Sequence, residues 1–277
     1  MIEKPFDVTK AVDFSDAQIA ETWVDLLPDG FSRLADPRST MPLLLLGGKG
    51  SGRTHLLRYY SYPVQKVRAG SEDVVEYLRR EGYVGIYMRC EGLNAGRFDG
   101  KGQTAETWAA VFAYYMDLWL TELTLLVAAD ALGGREELRV NEAQLSRGIL
   151  ELFDEPPGLT EPSIAGLIEA LSRLRRDVDL AVNNAALTRS LGSLRLTASR
   201  GRLVAGVPQA LAEHLSLFRR IQCDYLIDEL ENLNEAQQEY VNTLIREKAP
   251  PSTFVVGSRL YGYRTRKTLS AGEENRA

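Results

Sequence analysis

Residues 42–54, PLLLLGGKGSGRT, carry the strongest structural signal in this sequence. Four leucines in a row, stopped by glycines, are typical of a short strand buried on both faces of a parallel sheet. The next residues, Gly47 to Thr54, fit the pattern G-x-x-x-x-G-K-[ST], except that Arg53 stands in place of the lysine. Helical residues follow from Thr54 to about Tyr60. A strand, a glycine-rich turn and a helix in this order predict a loop that binds phosphate through backbone N–H groups and the helix N-terminus.

The residues of this loop have separate predicted roles. We assign phosphate binding to one continuous set: Gly47, Gly48, Lys49, Gly50, Ser51, Gly52, Arg53, Thr54 and His55. The Thr54 hydroxyl is a candidate Mg²⁺ ligand. Arg53 is a candidate catalytic residue, but its planar fork differs from a compact lysine charge, so we expect binding to survive and catalysis to weaken. Two alternatives stay open: Lys49 is only a solvated loop cation, or the whole loop is a turn without a ligand.

A second strand is predicted over Asp224–Asp228, and the segment Tyr225-Leu226-Ile227-Asp228-Glu229 is apolar and ends in two acids. Asp228 is predicted to hold Mg²⁺, directly or through water. Glu229 is predicted to orient and deprotonate the attacking water as a general base. Alone, such a pair is more often a helix N-terminal charge, and only its combination with the loop favours catalysis. We interpret Glu231 as a surface residue or a local brace.

A third polar group follows the predicted strand Thr253–Gly257. Ser258 is a candidate to hydrogen-bond the attacking water, and Arg259 to offset charge in the transition state. The alternative for Arg259 is an arginine in solvent. Basic residues and tyrosines then alternate in a pattern that also suits nucleic acid, although one short basic run is usually a solvated loop. These residues are Arg259, Tyr261, Tyr263, Arg264, Arg266 and Lys267.

The whole chain has the pattern of an α/β fold. A further strand is predicted over Tyr83–Arg89, so strands and helices alternate, as in a parallel sheet flanked by helices. More than a hundred mainly helical residues separate this strand from the one that ends at Asp228, which predicts a large insertion over about 100–200. We divide the chain into a helical lead-in, 1–40, and a core, 41–277. A capping box of Ser15 and Gln18 begins the lead-in helix, which we expect to end near Pro28.

Composition excludes several classes of protein. The 277 residues carry 33 Lys+Arg against 38 Asp+Glu, a net charge of −5, which argues against a strongly basic nucleic-acid coat. Two cysteines and two histidines are too few and too scattered for a zinc cluster or a disulfide scaffold. The polar N-terminus is not a signal peptide. Charges interrupt the apolar tract 108–132, so we expect a core helix there rather than a membrane span, and a cytoplasmic protein.

With GGKGSGRTHLL, YLIDELENL and TFVVGSR in that order, the chain resembles P-loop ATPases of the AAA+ and STAND classes, particularly bacterial relatives of origin-recognition initiator ATPases. The resemblance implies ATP and Mg²⁺ as ligands, with the metal at Thr54 and Asp228. It also implies Glu229 as the catalytic glutamate and Ser258 or Arg259 as a sensor of the terminal phosphate. In such proteins a fifth strand and a helical lid usually follow, and we expect both to be absent here and the chain to be a fragment.

The function that we predict is that of a regulatory ATPase, which uses ATP binding or slow hydrolysis to switch its assembly with a protein partner or with itself. By resemblance alone, its setting is DNA-linked machinery or bacterial antiphage defence. One alternative is a catalytically weak or inactive nucleotide-binding scaffold. Another is an initiator-like protein that binds duplex DNA, which net charge does not favour.

Overall fold

The four predicted strands form one parallel sheet. The computed structural model describes residue 11 and residues 13–24, 35–192 and 194–269. The strands are β1 (Leu43–Leu46), β2 (Tyr83–Arg89), β3 (Gln222–Asp228) and β4 (Ser252–Ser258), and their order in the sheet is β1-β4-β3-β2. All three pairings are parallel. The predicted α/β class, a parallel sheet flanked by helices, is therefore confirmed.

Helices account for most of the remaining described chain. They are α1 (Asp16–Glu21), α2 (Arg53–Tyr60), α3 (Tyr62–Ala69), α4 (Val74–Glu81), α5 (Ala105–Leu132), α6 (Glu136–Leu150), α7 (Ile164–Thr188), α8 (Arg202–His214) and α9 (Glu235–Arg246). Short 3₁₀ turns follow three of the strands, over Cys90–Leu93, Leu230–Asn232 and Leu260–Gly262, and another lies at Ala95–Arg97. Four of the helices, α5 to α8, lie between β2 and β3, where the sequence predicts its large helical insertion.

The strand order brings the polar strand ends together. In the register, Arg89 of β2 is the partner of Asp228 in β3, and Leu46 of β1 is the partner of Ser258 in β4. Because β4 lies between β1 and β3, residues after Ser258 emerge between the glycine-rich loop and the acid pair. Parallel strands have their carboxyl ends at one edge, which is where α/β folds bind ligands.

The sheet separates two apolar clusters. On one face Leu226 and Val255 pack with Leu57 and Tyr60 of α2. On the other face the inward residues of β2, β3 and β4 pack with α5, α8 and α9. Gly85 is required in the first cluster, because a Cβ there would lie 2.1 Å from the Tyr60 carbonyl oxygen. The absence of that side chain allows α2 to approach β2 closely.

A buried glutamine closes the outer edge of β2. Gln65 of α3 is fully buried; its Nε2 donates to the Tyr83 carbonyl at 3.1 Å, and its Oε1 accepts from the Gly85 N–H at 3.0 Å. One side-chain amide thus takes the place of a neighbouring strand, which satisfies two edge groups that burial would otherwise leave unpaired.

Two expectations about the first elements are wrong. β1 is not buried on both faces: Leu44 is 36% exposed and Leu46 is 43% exposed. Within the described chain β1 pairs only with β4, so it is an edge strand and one of its faces is partly open. The capping box at Ser15 and Gln18 is confirmed, but α1 ends at Glu21, not near Pro28, which lies outside the described residues, as does the tail from 270.

The apolar tract near residue 108 is confirmed as a core helix. α5 is long and apolar enough to pass a membrane-span test, but 67% of its most apolar window is buried within the fold. Its buried Asp117 accepts hydrogen bonds from the Tyr240 hydroxyl of α9 and, at 2.7 Å, from the Gly201 N–H ahead of α8. Burial raises the pKa of Asp117 to about 7, against the lowering effects of these two hydrogen bonds and of Arg200.

Candidate active site

A cleft of about 720 Å³ opens at the carboxyl edge of the sheet. Three parts of the chain line it: the residues ahead of α1, the glycine-rich loop, and the ends of β2, β3 and β4. The lining residues are Ala11, Asp13, Phe14, Gly48 to His55, Arg89, Glu91, Glu229, Glu231, Asn232 and Arg259. The cleft therefore contains most of the residues that the sequence analysis selects, although they are far apart in the chain.

The glycine-rich loop has the backbone of a phosphate cradle. Gly50 and Gly52 both have φ of 82°, a left-handed conformation that favours glycine. Gly47 has no room for a side chain, since a Cβ would lie 2.5 Å from Ser51 Oγ, and its N–H donates to the Ser258 carbonyl at 3.2 Å. Gly52 caps α2 without a side-chain hydrogen bond, so the first N–H groups of this helix are available to an anion.

Asp228 and Thr54 form a donor set of hard oxygens. The buried Asp228 carboxyl accepts from the Tyr87 hydroxyl at 3.1 Å and from the Glu229 N–H at 2.9 Å. Burial raises its pKa, while the nearby Thr54 hydroxyl and Tyr87 lower it. Gly257 leaves space beside the carboxyl, because a Cβ there would be 3.0 Å from Asp228 Oδ1. A hydroxyl and a carboxylate are hard oxygen ligands of the kind that Mg²⁺ prefers.

Glu229 is held by an arginine that the sequence analysis did not select. Arg89 donates to the Glu229 carboxylate through Nε at 2.7 Å and Nη2 at 3.1 Å, and Asn232 adds a third hydrogen bond at 3.2 Å. Glu229 itself has φ of 59°, which is uncommon for a residue with a side chain. Strain of this kind occurs at functional sites, and here it accompanies the predicted general base.

Glu231 joins the loop to β4. Its Oε1 lies 3.8 Å from Arg53 Nη2 and 3.1 Å from Arg259 Nε, and its Oε2 accepts from the Arg259 N–H at 3.0 Å. The expected local brace is thus correct, but Glu231 is largely buried and is not a surface residue. Both arginines that the sequence analysis assigned to phosphate contact the same carboxylate.

The remaining candidates have different surroundings. Ser258 is fully buried and its hydroxyl donates to the Arg259 carbonyl, so Arg259 and not Ser258 lines the cleft. His55 donates to the Ile19 carbonyl at 3.2 Å, and burial lowers its pKa, so it joins α2 to α1. Lys49 lines the cleft and has no ion pair with the part of the chain that is described.

Arg58, in α2, holds the residues ahead of α1 that line one side of the cleft. Arg58 donates to the carbonyls of Ala11 and Phe14, each at 2.7 Å, and to the Asp16 carboxylate at 2.6 Å. Residues ahead of α1 are thereby fixed beside the loop. This side of the cleft was not part of the predicted site, although the residues that form it belong to the predicted lead-in.

A comparison with protein families identifies the family of this chain. A family model described as ORC-CDC6-like matches residues 4–277, nearly the whole chain. Neither the curated proteins nor the solved structures gave a match. The match covers the glycine-rich loop, the acid pair and the end of β4, which are the residues that meet in the cleft. The chain therefore belongs to the ORC-CDC6-like family and is an AAA+ ATPase of that kind.

Proposed function

We propose that this AAA+ ATPase binds ATP with Mg²⁺ in the cleft, hydrolyses it slowly, and uses the nucleotide state to regulate assembly with a partner. One observation carries the proposal: the glycine-rich loop, Asp228, Glu229 and Arg259 line or adjoin one cleft at the carboxyl edge of a parallel sheet. Four other cavities of the described residues lack these groups.

Binding would use the loop and two oxygen ligands. The backbone N–H groups from Gly48 to Thr54 and the N-terminus of α2 would hold phosphate oxygens. Arg53 Nη1 is buried without a hydrogen-bond partner in the described chain, and a phosphate would supply the missing acceptor. Thr54 and Asp228 would hold Mg²⁺, which when bound neutralises charge on the phosphate oxygens.

Slow hydrolysis follows from the position of the base. Glu229 is the carboxylate best placed to accept a proton from an attacking water, but Arg89 occupies both of its oxygens. The positive charge of Arg89 opposes transfer of a proton to the carboxylate, so this contact would slow catalysis by Glu229. Arg259, at the end of β4, is placed to offset charge that develops on the phosphate.

The regulatory part of the proposal concerns the surface next to the cleft. The turn Leu260–Gly262 follows Arg259 directly and exposes Leu260 and Tyr261. An exposed apolar pair beside a nucleotide site suits a contact that depends on nucleotide state, with a protein partner or a second copy. A cytoplasmic role in DNA-linked machinery or antiphage defence is part of the proposal only through the resemblance of the motifs.

Two variants that differ in their expected ATP binding test the ATPase. Asp228→Asn should abolish Mg²⁺-dependent ATP binding, while Glu229→Gln should bind ATP and release phosphate ~100-fold more slowly or worse, as expected for loss of a positioned base. Arg139→Ala, an exposed change in α6, is the control for purification and handling. Wild-type turnover in both site variants would contradict the assignment of these residues.

The second candidate function is a nucleotide-binding scaffold without turnover. It is favoured by the same contacts that slow the proposed enzyme, since Arg53 lies near Glu231 and Glu229 is held by Arg89. ATP binding with no phosphate release by the wild type, over many hours and at high enzyme concentration, would support the scaffold instead.

A further inference from the structure

Glu231 lies between two guanidinium groups that come from different elements. Arg53 begins α2 and Arg259 follows β4, and both are within 4 Å of Glu231 Oε1. The side chains of Glu231 and Arg53 are 11% and 13% exposed, so solvent screens this pair weakly, whereas the Arg259 side chain is 62% exposed. One carboxylate therefore partly neutralises both arginines that face the phosphate-binding loop.

The two contacts of Glu231 differ in quality. Arg259 is held by its side chain at 3.1 Å and by its backbone N–H at 3.0 Å. The Arg53 contact of 3.8 Å is too long for a hydrogen bond, and Arg53 Nη1 has no partner among the described residues. A buried donor without an acceptor is unfavourable, so Arg53 would gain free energy from an anion that reaches it.

We propose that Glu231 competes with the nucleotide's phosphate groups for Arg53 and Arg259, and so sets the affinity of the cleft for nucleotide. This inference rests on the proposed function, since it takes a nucleotide polyphosphate as the ligand. Phosphate and carboxylate repel each other across a partly buried cleft, and each is stabilised by the same two arginines. On this proposal, phosphate binding weakens the contact of the Glu231 carboxylate with at least one of the two guanidinium groups.

Displacement of the Glu231 side chain would also move the exposed turn Leu260–Gly262. The Arg264 side chain donates to the Glu231 carbonyl at 3.2 Å. Gly262 packs directly on Glu231, because a Cβ at Gly262 would lie 2.2 Å from Glu231 Cβ. Tyr261, which directly precedes Gly262 in the same turn, is 97% exposed. When phosphate takes Arg259, its ion pair with the Glu231 carboxylate is lost and the adjacent backbone hydrogen bond is weakened, so the position of Tyr261 depends on the nucleotide.

The test is a calorimetric titration of the full chain with ATP–Mg²⁺ and, separately, with inorganic pyrophosphate. Glu231→Gln should bind ATP about tenfold more tightly than the wild type and should also gain affinity for pyrophosphate, which has no base or sugar. The gain should shrink in high salt. The charge-matched control is Glu136→Gln, which removes the same charge from an exposed residue of α6 that does not line the cleft; its affinity should change by less than threefold.

The outcomes separate this inference from the proposed function. If the wild type binds ATP and Glu231→Gln binds it equally or more weakly at an unchanged melting temperature, the competition is wrong and the ATPase assignment stands. If neither protein binds ATP or pyrophosphate, both are wrong. Should Glu231→Gln fail to fold, Glu231→Asp, which keeps the charge but withdraws it from both arginines, should show a smaller gain in affinity; no gain would overturn the competition.

A second readout does not depend on turnover or on a variant. Hydrogen exchange of the Arg259 amide, which donates to Glu231 Oε2, should become faster when the wild type is saturated with ATP. Unchanged or slower exchange at this amide would contradict displacement of the Glu231 carboxylate.

Discussion

The Arg89 guanidinium donates hydrogen bonds to both oxygens of the Glu229 carboxylate, with Nε–Oε2 at 2.7 Å and Nη2–Oε1 at 3.1 Å. The contact links the ends of the neighbouring strands β2 and β3. It also pairs the proposed general base with a fixed positive charge. How firmly this pair holds decides how fast the proposed ATPase turns over.

Removal of Arg89 should therefore free the base. We expect Arg89→Ala to raise kcat for ATP hydrolysis about tenfold, measured as phosphate release at saturating ATP, because the positive charge that opposes proton transfer to Glu229 is removed and only the Asn232 hydrogen bond remains. The double variant Arg89→Ala/Glu229→Gln should be inactive. A fall in kcat for Arg89→Ala with ATP binding retained would mean that Arg89 contributes to catalysis and does not restrain it.

Asp117 should make stability depend on pH. Its pKa is raised by burial from the ordinary value of 3.8 to about 7, so between these pH values the native state holds a proton that the unfolded state has lost. The free energy of unfolding should thus fall as pH rises from about 4 to 7. Asp117→Asn, which is uncharged at all pH values, should lack this part of the dependence.

Denaturant unfolding at pH 5 and pH 7 measures the effect. The wild type should lose about 2 kcal/mol more than Asp117→Asn between these pH values, since one pKa unit corresponds to ~1.4 kcal/mol. Contributions from other groups are common to both proteins and cancel in the difference. If the free energy of unfolding changed equally with pH in the two proteins, Asp117 would be ionised in the native state and the prediction would be wrong.

Gly85 should be intolerant of any side chain. Because a Cβ at this position would lie 2.1 Å from the Tyr60 carbonyl oxygen, Gly85→Ala must push α2 away from β2. We expect a loss of about 2 kcal/mol in the free energy of unfolding, as for other overpacked cores. Gly96→Ala is the control, since a Cβ there meets nothing within 4 Å and should change stability by less than ~0.5 kcal/mol. Equal stability of the two variants would contradict this packing.

Local patterns in the sequence predict much of the fold. β2 is predicted over its full range, Tyr83–Arg89, and the other strands to within two residues, because short apolar runs stopped by polar residues or glycine mark buried strands. The capping box at Ser15 and Gln18 is also confirmed. The exposure of β1 is not predictable in this way, since it depends on which strands lie beside it and not on its own four leucines.

The sequence predicts those residues of the candidate site that belong to a motif. It does not predict residues whose contacts depend on which strand or turn lies beside them. The loop follows from its motif, and the acid pair follows from its place at the end of a strand in combination with that loop. Arg89 and Glu231 do not, because their partners are set by strand register and by the turn after β3. One signal for Arg89 was present in the sequence: it ends a predicted parallel strand, and the carboxyl ends of such strands share an edge with Glu229.

The most direct test of the central claim is calorimetric titration with ATP, with and without Mg²⁺, followed by phosphate release on the same sample, for the wild type and Arg53→Lys. We predict saturable, Mg²⁺-dependent binding by both proteins, slow turnover by the wild type, and faster turnover by Arg53→Lys, because lysine places a compact charge where this loop pattern usually has one. Absence of ATP binding in both proteins would contradict the claim and leave the loop as a strand-to-helix turn without a ligand.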